Sequence, residues 1–160
     1  VGTQLLPESQ MDRFMIGMTM GYPTPEQEIS ILKNRNSGNL LAGILPVVGR
    51  DDLLAMRKQV SGVYVHEDLY AYMVELTNRT RNHPAIEEGV SPRGTLALME
   101  MAKAVAFLCG YEFVVPEHVQ EIFLDVCGHR VRFQSMAVQT TSGQEVLLEL
   151  LASVKAPAIR

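Results

Sequence analysis

The sequence has few cysteines, no surplus of positive charge and no long apolar run. Two cysteines cannot build the disulfide framework of a small secreted domain, and Cys109 and Cys127 lie in apolar helical patterns that favour reduced core thiols. The formal net charge of −4 disfavours a helical DNA-binding domain. No run reaches the roughly 18 apolar residues that a membrane-spanning helix needs, so we expect a cytoplasmic protein.

Common catalytic motifs are also missing. There is no G-x-x-x-x-G-K-[ST] phosphate-binding loop and no G-x-S-x-G nucleophile elbow. The four histidines are scattered, and Cys127 and His129 have no second pair at zinc-ligand spacing, so no metal site is expected. The chain nevertheless has 160 residues, of which 47% are hydrophobic. This is enough for a sizeable core in one domain, or in one domain and part of another.

Hydrophobic periodicity predicts a mainly α-helical protein. Caps and apolar spacing indicate helices over residues 24–34, from 51, around 69–76, over 91–109, from 116 and from 142. The helix over 91–109 is apolar nearly all round, which is typical of a central, buried helix. Residues 63–65 are expected to be extended, the first helix to end at 36–39, and residues 131–141 to form a loop.

The first 22 residues have a different pattern. Residues 7–14 predict a short helix, and residues 15–20 predict a short strand that would need partner strands. We therefore expect this strand to belong to the edge of a sheet whose other strands lie outside the sequence. The first residue is Val1 and not methionine, which agrees with a sequence that begins inside a gene.

Arg93 is the most informative charged residue. Ser91 as N-cap and Pro92 at the first helical position place Arg93 at the second position of a helix. That end of a helix carries partial positive charge, so a cation there costs about 0.3–1 kcal/mol, whereas an anion is readily bound. A phosphate bound nearby would explain the arginine. Simple exposure, or an ion pair with Glu87 or Glu88, would explain it equally well.

Arg13 is less informative by itself. It lies near the end of the predicted helix over residues 7–14, where a cation is electrostatically comfortable. Spacing alone favours a solvated side chain or an ion pair with Glu8 or Asp12.

A resemblance to a known family changes both interpretations. Residues 2–14 (GTQLLPESQMDRF) resemble the segment that follows sensor 1 in MoxR-family AAA+ ATPases, and residues 21–28 (GYPTPEQE) resemble the entry to that family's lid. Residues 89–98 (GVSPRGTLAL) resemble its sensor 2 segment. Residues 110–119 (GYEFVVPEHV) and 126–131 (VCGHRV) resemble two later motifs. The motifs occur in the family's order and cover nearly the whole chain.

The resemblance implies roles for the two arginines. Arg13 would be the arginine finger, acting on the nucleotide of a neighbouring subunit, and Arg93 would be sensor 2, with Ser91 and Pro92 beside it at the nucleotide. A guanidinium suits phosphate because it stays charged and presents a rigid fork of donors. Gly94 stands where the family commonly has alanine, which predicts a sensor 2 helix that is less stable by up to about 1 kcal/mol.

The resemblance also implies the architecture and the partners. The chain would be the C-terminal portion of a MoxR-type AAA+ ATPase, with residues 1–22 as the end of the nucleotide-binding core and residues 23–160 as a helical lid domain. The full-length protein would use ATP and Mg²⁺ and form a homo-oligomeric ring, usually a hexamer. Such rings have a chaperone-like role in protein maturation or complex assembly, often with von Willebrand A domain partners.

Walker A, Walker B and sensor 1 lie upstream in the family, so we expect this chain alone to bind no cofactor and to be inactive. The competing hypothesis is a freestanding helical protein-interaction module in which the arginines are incidental.

Overall fold

The computed structural model describes residues 6–34, 43–134 and 142–159. Within these ranges the chain forms seven α-helices and one two-stranded sheet, which confirms the predicted mainly α-helical class. The helices are α1 (Glu8–Met11), α2 (Pro25–Asn34), α3 (Arg50–Gly62), α4 (Glu67–Arg81), α5 (Pro92–Leu108), α6 (Pro116–Cys127) and α7 (Gly143–Ser153). The strands are β1 (Ile86–Glu88) and β2 (Arg132–Phe133), and a 3₁₀ turn covers Gly128–Arg130. None of the helices in these ranges is both long and apolar enough to cross a membrane.

The chain divides into two compact units. The smaller unit lies within residues 18–57, and the larger one combines residues 1–17 with residues 58–160. Helix α3 begins in the smaller unit and ends in the larger one. The predicted boundary between residues 22 and 23 concerns the family's domains and stays a prediction.

Helix α5 is the centre of the larger unit, as predicted. It packs against α4 and α6, and α7 packs against α4 and α6 in turn. One side of α5 faces solvent, as the 62% exposure of Leu96 shows. The residues that are fully or almost fully buried at the centre include Leu69, Leu76, Leu98, Val119, Phe123, Val126 and Leu147. Burying a side chain of this size contributes about 1.5–3 kcal/mol, so this cluster is the main source of stability.

Local capping explains where several helices begin. Thr24 and Gln27 exchange side-chain and backbone hydrogen bonds at the start of α2, and Ser142 and Glu145 do the same at the start of α7. Both capping boxes were predicted and are confirmed. The start of α3 differs from the prediction, because the Asp52 carboxylate, and not that of Asp51, accepts the backbone N–H of Gly49 at 3.1 Å. The predicted end of the first helix at 36–39 lies outside the described residues.

The strand predicted over residues 15–20 is wrong, since none of these residues is in a strand. Within the described ranges, no strand pairs with this segment. Instead, the Gly17 backbone N–H donates to the Asp125 carbonyl on α6 at 2.8 Å. A segment without strand partners satisfies its polar groups on whatever element it contacts, and here that element is a helix.

The predicted loop over 131–141 contains a strand at its beginning. Strand β2 pairs antiparallel with β1, with Ile86 opposite Phe133. The rest of this predicted loop, residues 135–141, lies outside the described residues. The extended backbone expected at 63–65 is confirmed by a bridge between Tyr64 and Phe113.

The two cysteines have different environments. Cys127 is buried, as predicted, and burial raises the pKa of its thiol to about 12. Cys109 caps the end of α5 and is exposed, so its assignment to the core is wrong.

Candidate functional site

The first turn of α5 carries most of the predicted site residues. Ser91 caps the helix, since its hydroxyl accepts the backbone N–H of Gly94 at 3.2 Å, and Pro92 is the first helical residue. Arg93 follows as an exposed side chain. The sequence-based description of this helix start is therefore confirmed.

The linker that precedes α5 is fastened to the end of α4. The Val90 backbone N–H donates to the buried Thr80 hydroxyl at 2.9 Å, and Arg81 Nε donates to the Val90 carbonyl at 2.7 Å. A Cβ atom on Gly89 would lie 2.6 Å from the backbone nitrogen of Arg81, so only glycine allows this close approach. The position of the α5 start is thus set by α4.

A hydrogen bond joins the start of α5 to the end of α1. The Ser91 hydroxyl donates to Asp12 Oδ2 at 2.9 Å, across 79 residues of sequence. Because Arg13 follows Asp12 and Arg93 lies two residues after Ser91, this bond brings the two predicted arginine-bearing segments together. Ser91 therefore holds Asp12 as well as capping the helix.

Arg130 lies on the other side of the Asp12 carboxylate. Its side chain is only 2% exposed, and its Nε donates to Asp12 Oδ1 at 3.1 Å. The remaining N–H groups contact backbone carbonyls of residues 12–15 and of Val126. A buried guanidinium is stable only when its donors are satisfied, and this one is satisfied mainly by the segment that contains Arg13.

Arg93 has no hydrogen-bond or ion-pair partner within the part of the chain that the structure describes. The alternative pairing with Glu87 or Glu88 is wrong, because both carboxylates face Arg132, at 3.4 and 3.2 Å from its guanidinium nitrogens. A cation at a helix N-terminus lies in an unfavourable field, and the Asp12 carboxylate at the Ser91 N-cap offsets it only in part because it also pairs with Arg130. The exposed guanidinium of Arg93 is suited to an anion because it stays charged and presents a rigid set of donors.

Arg13 is likewise exposed, and its side chain has no partner among the described residues. Its sequence neighbour Asp12 is engaged by Arg130 and Ser91, so the alternative ion pair of Arg13 with Asp12 is wrong. The other suggested partner was Glu8, whose side chain lies outside the described residues.

A cavity of about 320 Å³ lies beside this junction. Its lining includes Asp12, Glu88, Ser91, Arg130 and Arg132, whose side chains all have partners in the protein. The cavity therefore offers little unsatisfied polarity to a ligand. Next to this junction in the sequence, Arg13 and Arg93 are exposed and have no partner among the described residues.

Sequence reasoning missed Arg130 and considered only the helix propensity of Gly94. The sequence signal for Arg130 was the motif over 126–131, which carried no assigned role. Gly94 is buried, and a Cβ atom there would lie 2.5 Å from Val90 Cγ1 and 2.9 Å from Arg130 Cδ. Glycine thus makes room for the Arg130 side chain, so its effect on the helix is not propensity alone.

Comparison with known proteins agrees with this geometry. Residues 78–150, which run from α4 to α7, match the family model of the AAA lid domain. The part of the larger unit over residues 78–150, with its capped, arginine-bearing α5, is therefore similar to an AAA+ lid.

Proteins of similar sequence indicate which group of AAA+ proteins the chain resembles. The chain is 28% identical to "Chaperone MoxR1" of Mycobacterium tuberculosis over 99% of its own length and 44% of that protein. It is 30% identical to "Protein MoxR" of Paracoccus denitrificans, over 79% of the chain and 43% of the relative. It is also 32% identical to the uncharacterized protein YeaC of Bacillus subtilis, over 99% of the chain and 50% of the relative. The chain belongs to the MoxR family of AAA+ proteins.

A solved structure supports the same assignment. The crystal structure of a candidate ATPase from Cytophaga hutchinsonii superposes with a TM-score of 0.87 and 28% identity, covering 99% of this chain and 51% of the other. The chain spans about half the length of this protein and of the curated relatives that it matches.

Proposed function

We propose that this chain is the lid and sensor 2 portion of a MoxR-type AAA+ ATPase, which couples ATP binding and hydrolysis to lid movement. The observation that carries the proposal is the pair of exposed arginines, Arg13 and Arg93, on either side of the Asp12–Ser91 hydrogen bond. Both lack a carboxylate partner among the described residues. Guanidinium groups in that state are suited to phosphate oxygens.

In this proposal Arg13 is the arginine finger. It approaches the γ-phosphate bound by a neighbouring subunit of a homo-oligomeric ring, a hexamer in the family's usual form. A guanidinium there stabilises the charge that builds up on the phosphoryl oxygens in the transition state. The fixed backbone around Arg13 supports this role, because a finger must reach the same point in each turnover.

Arg93 is the sensor 2 residue of the proposal. Ser91 and Pro92 begin α5 and so set the direction in which Arg93 leaves the helix. Since α5 is the central helix of the lid, a contact between Arg93 and nucleotide phosphate would couple the nucleotide state to lid position.

ATP and Mg²⁺ are the implied nucleotide and metal of the whole protein. The two free guanidinium groups fit phosphate oxygens. Mg²⁺ bound with the nucleotide would neutralise phosphate charge.

The biological setting is part of the same proposal. A relative that covers the chain is called a chaperone, which supports a chaperone-like role in protein maturation or complex assembly. We place the protein in the cytoplasm, with von Willebrand A domain proteins as partners.

The first test uses the complete gene product with Arg13→Ala and Arg93→Ala. Arg13→Ala should lower kcat for ATP hydrolysis by about 10³–10⁵-fold and leave nucleotide affinity nearly unchanged. Arg93→Ala should weaken nucleotide binding or hydrolysis. The matched control is Arg79→Ala, which removes an exposed arginine that pairs with Glu75 on its own helix. Wild-type turnover in Arg13→Ala would overturn the finger assignment.

Mixed rings test whether the finger acts between subunits. Arg13→Ala subunits retain their own nucleotide site, and subunits inactivated at the P-loop lysine retain the finger. A mixture of the two should recover activity that neither has alone. No recovery, with mixed rings demonstrated by a tag on each subunit, would exclude action on the neighbour's nucleotide.

The AAA lid match and the MoxR relatives weigh against a freestanding interaction module. That alternative predicts that neither arginine affects any nucleotide-dependent property of the complete protein.

A further inference from the structure

We propose that Arg130 is a positioning residue, which fixes the segment that carries Arg13 against the helix start that carries Arg93. The inference rests on the proposed roles of those two arginines. The side chain of Arg130 is only 2% exposed and is bonded to Asp12, so it acts through its neighbours.

The guanidinium of Arg130 has five N–H donors, and each has an acceptor. Nε donates to Asp12 Oδ1 at 3.1 Å. Nη2 donates to the carbonyls of Asp12, at 3.4 Å, and Phe14. Nη1 donates to the carbonyls of Met15, at 3.1 Å, and Val126. Four of the five acceptors thus belong to residues 12–15, and the fifth anchors the group to α6.

These contacts bracket Arg13 without touching its side chain. The held carbonyls belong to the residue before Arg13 and to the two residues after it. His129 also contacts this segment, because its Nε2 lies 3.0 Å from the Phe14 carbonyl oxygen. The backbone at Arg13 is therefore fixed from both sides while the side chain remains exposed.

The stem of Arg130 contacts the other arginine-bearing element. Its Cδ lies where it would be 2.9 Å from a Cβ atom on Gly94, the residue directly after Arg93. One side chain therefore packs on the first turn of α5 and binds the Arg13 segment with its head. A movement of either element is transmitted to the other through a single rigid fork.

Lysine could not reproduce this arrangement. Its ammonium is a point charge with three donors, whereas the site uses five donors in one plane. Arg130→Lys keeps the charge and much of the stem, so it separates the fork geometry from simple charge balance.

The experiment uses the complete protein with Arg130→Met and Arg130→Lys, beside Arg132→Met as the control. Arg132 is two residues away, half-exposed, and pairs with surface carboxylates. Both Arg130 variants should lower kcat by about 10²-fold, the effect of a misplacement near 1 Å, with a much smaller change in nucleotide Kd. The control should keep wild-type kcat.

A second readout does not depend on activity. The sequence has no tryptophan, so Phe14→Trp introduces an indole fluorophore into the held segment, at a residue that is 54% exposed. The fluorescence anisotropy of this indole should fall in the Arg130 variants, at temperatures well below melting, and stay unchanged in Arg132→Met. Unchanged anisotropy in the Arg130 variants would overturn the inference, and so would wild-type kcat.

Failure of the two proposals can be told apart. If Arg13→Ala keeps wild-type turnover, the proposed function fails. If Arg13→Ala is inactive but Arg130→Met and Arg130→Lys retain kcat, only the positioning role fails. If the Arg130 variants do not fold, Gly94→Ala presses a methyl group on Val90 and on the Arg130 stem and leaves the Arg130 charge intact. Wild-type kcat in Gly94→Ala, together with an unchanged anisotropy of the indole introduced by Phe14→Trp, would then overturn the inference.

Discussion

Replacing Gly89 with alanine tests the close approach of the α5 linker to α4. The added Cβ atom would lie 2.6 Å from the Arg81 backbone nitrogen and 2.7 Å from both the Arg81 Cα and the Thr80 carbonyl carbon. All three atoms belong to the backbone of a helix, so they cannot rotate away as a side chain can. The linker must shift instead, and the buried Val90 lies next in the chain.

The expected change in the free energy of unfolding is the sum of two opposing effects of Gly89→Ala. Overpacking typically costs about 1–3 kcal/mol, whereas replacing glycine with alanine stabilises by about 0.4–1 kcal/mol through the unfolded chain. We therefore expect a net loss of roughly 1–2 kcal/mol, which corresponds to a fall in Tm of about 2–8 °C for a chain of this size. This loss in the free energy of unfolding can be measured by urea unfolding, monitored by the circular dichroism signal of the helices.

The matched control is Gly62→Ala at the end of α3. Beyond its own chain neighbours and helix backbone, an added Cβ atom there has no atom of the described residues within 4 Å, so the same chemical change should be neutral or stabilising by up to about 1 kcal/mol. The difference between the two variants isolates the close approach. Equal unfolding midpoints for Gly89→Ala and Gly62→Ala would refute the reasoning.

Other predictions concern the buried groups of the larger unit. Thr80→Val should cost about 1–3 kcal/mol in urea unfolding, because it leaves the Val90 N–H without an acceptor; a change within error would show that the bond contributes nothing. Phe123→Ala should cost about 3–5 kcal/mol, since Phe123 is 0% exposed, and a loss below about 1 kcal/mol would mean that the core is misassigned. At about pH 8, iodoacetamide should modify Cys109 and leave Cys127 intact, because burial raises the pKa of the Cys127 thiol to about 12. Equal modification of both thiols, read by peptide mass, would contradict this.

Helix starts were predictable from sequence because their determinants are local. Ser91, Thr24 and Ser142 each bond to a backbone N–H three residues later, and that spacing is visible in the chain. The arginine candidates were found in the same way, from their places at helix ends and from family motifs that are themselves contiguous.

What the sequence could not provide are the long-range pairings. Whether Arg93 was free depended on Arg132 taking Glu87 and Glu88, which lie across the β1–β2 pair. The strand expected over residues 15–20 failed for a related reason, because strand formation depends on partners that local patterns do not specify. The packing role of Gly94 was not predicted, because helix propensity takes no account of a side chain from a distant turn.

The bond between Asp12 and Arg130 also has a consequence for how the protein is made. The two residues are 118 positions apart, so at about 5–20 residues per second a ribosome delivers Arg130 roughly 6 to 24 s after Asp12. Throughout that interval the segment around Arg13 lacks the guanidinium that holds its carbonyls. A translation product that stops before the 3₁₀ turn would keep the Ser91–Asp12 hydrogen bond but not the Arg130 contacts, so the backbone around Arg13 is held from both sides only in chains that have been read almost to the last helix.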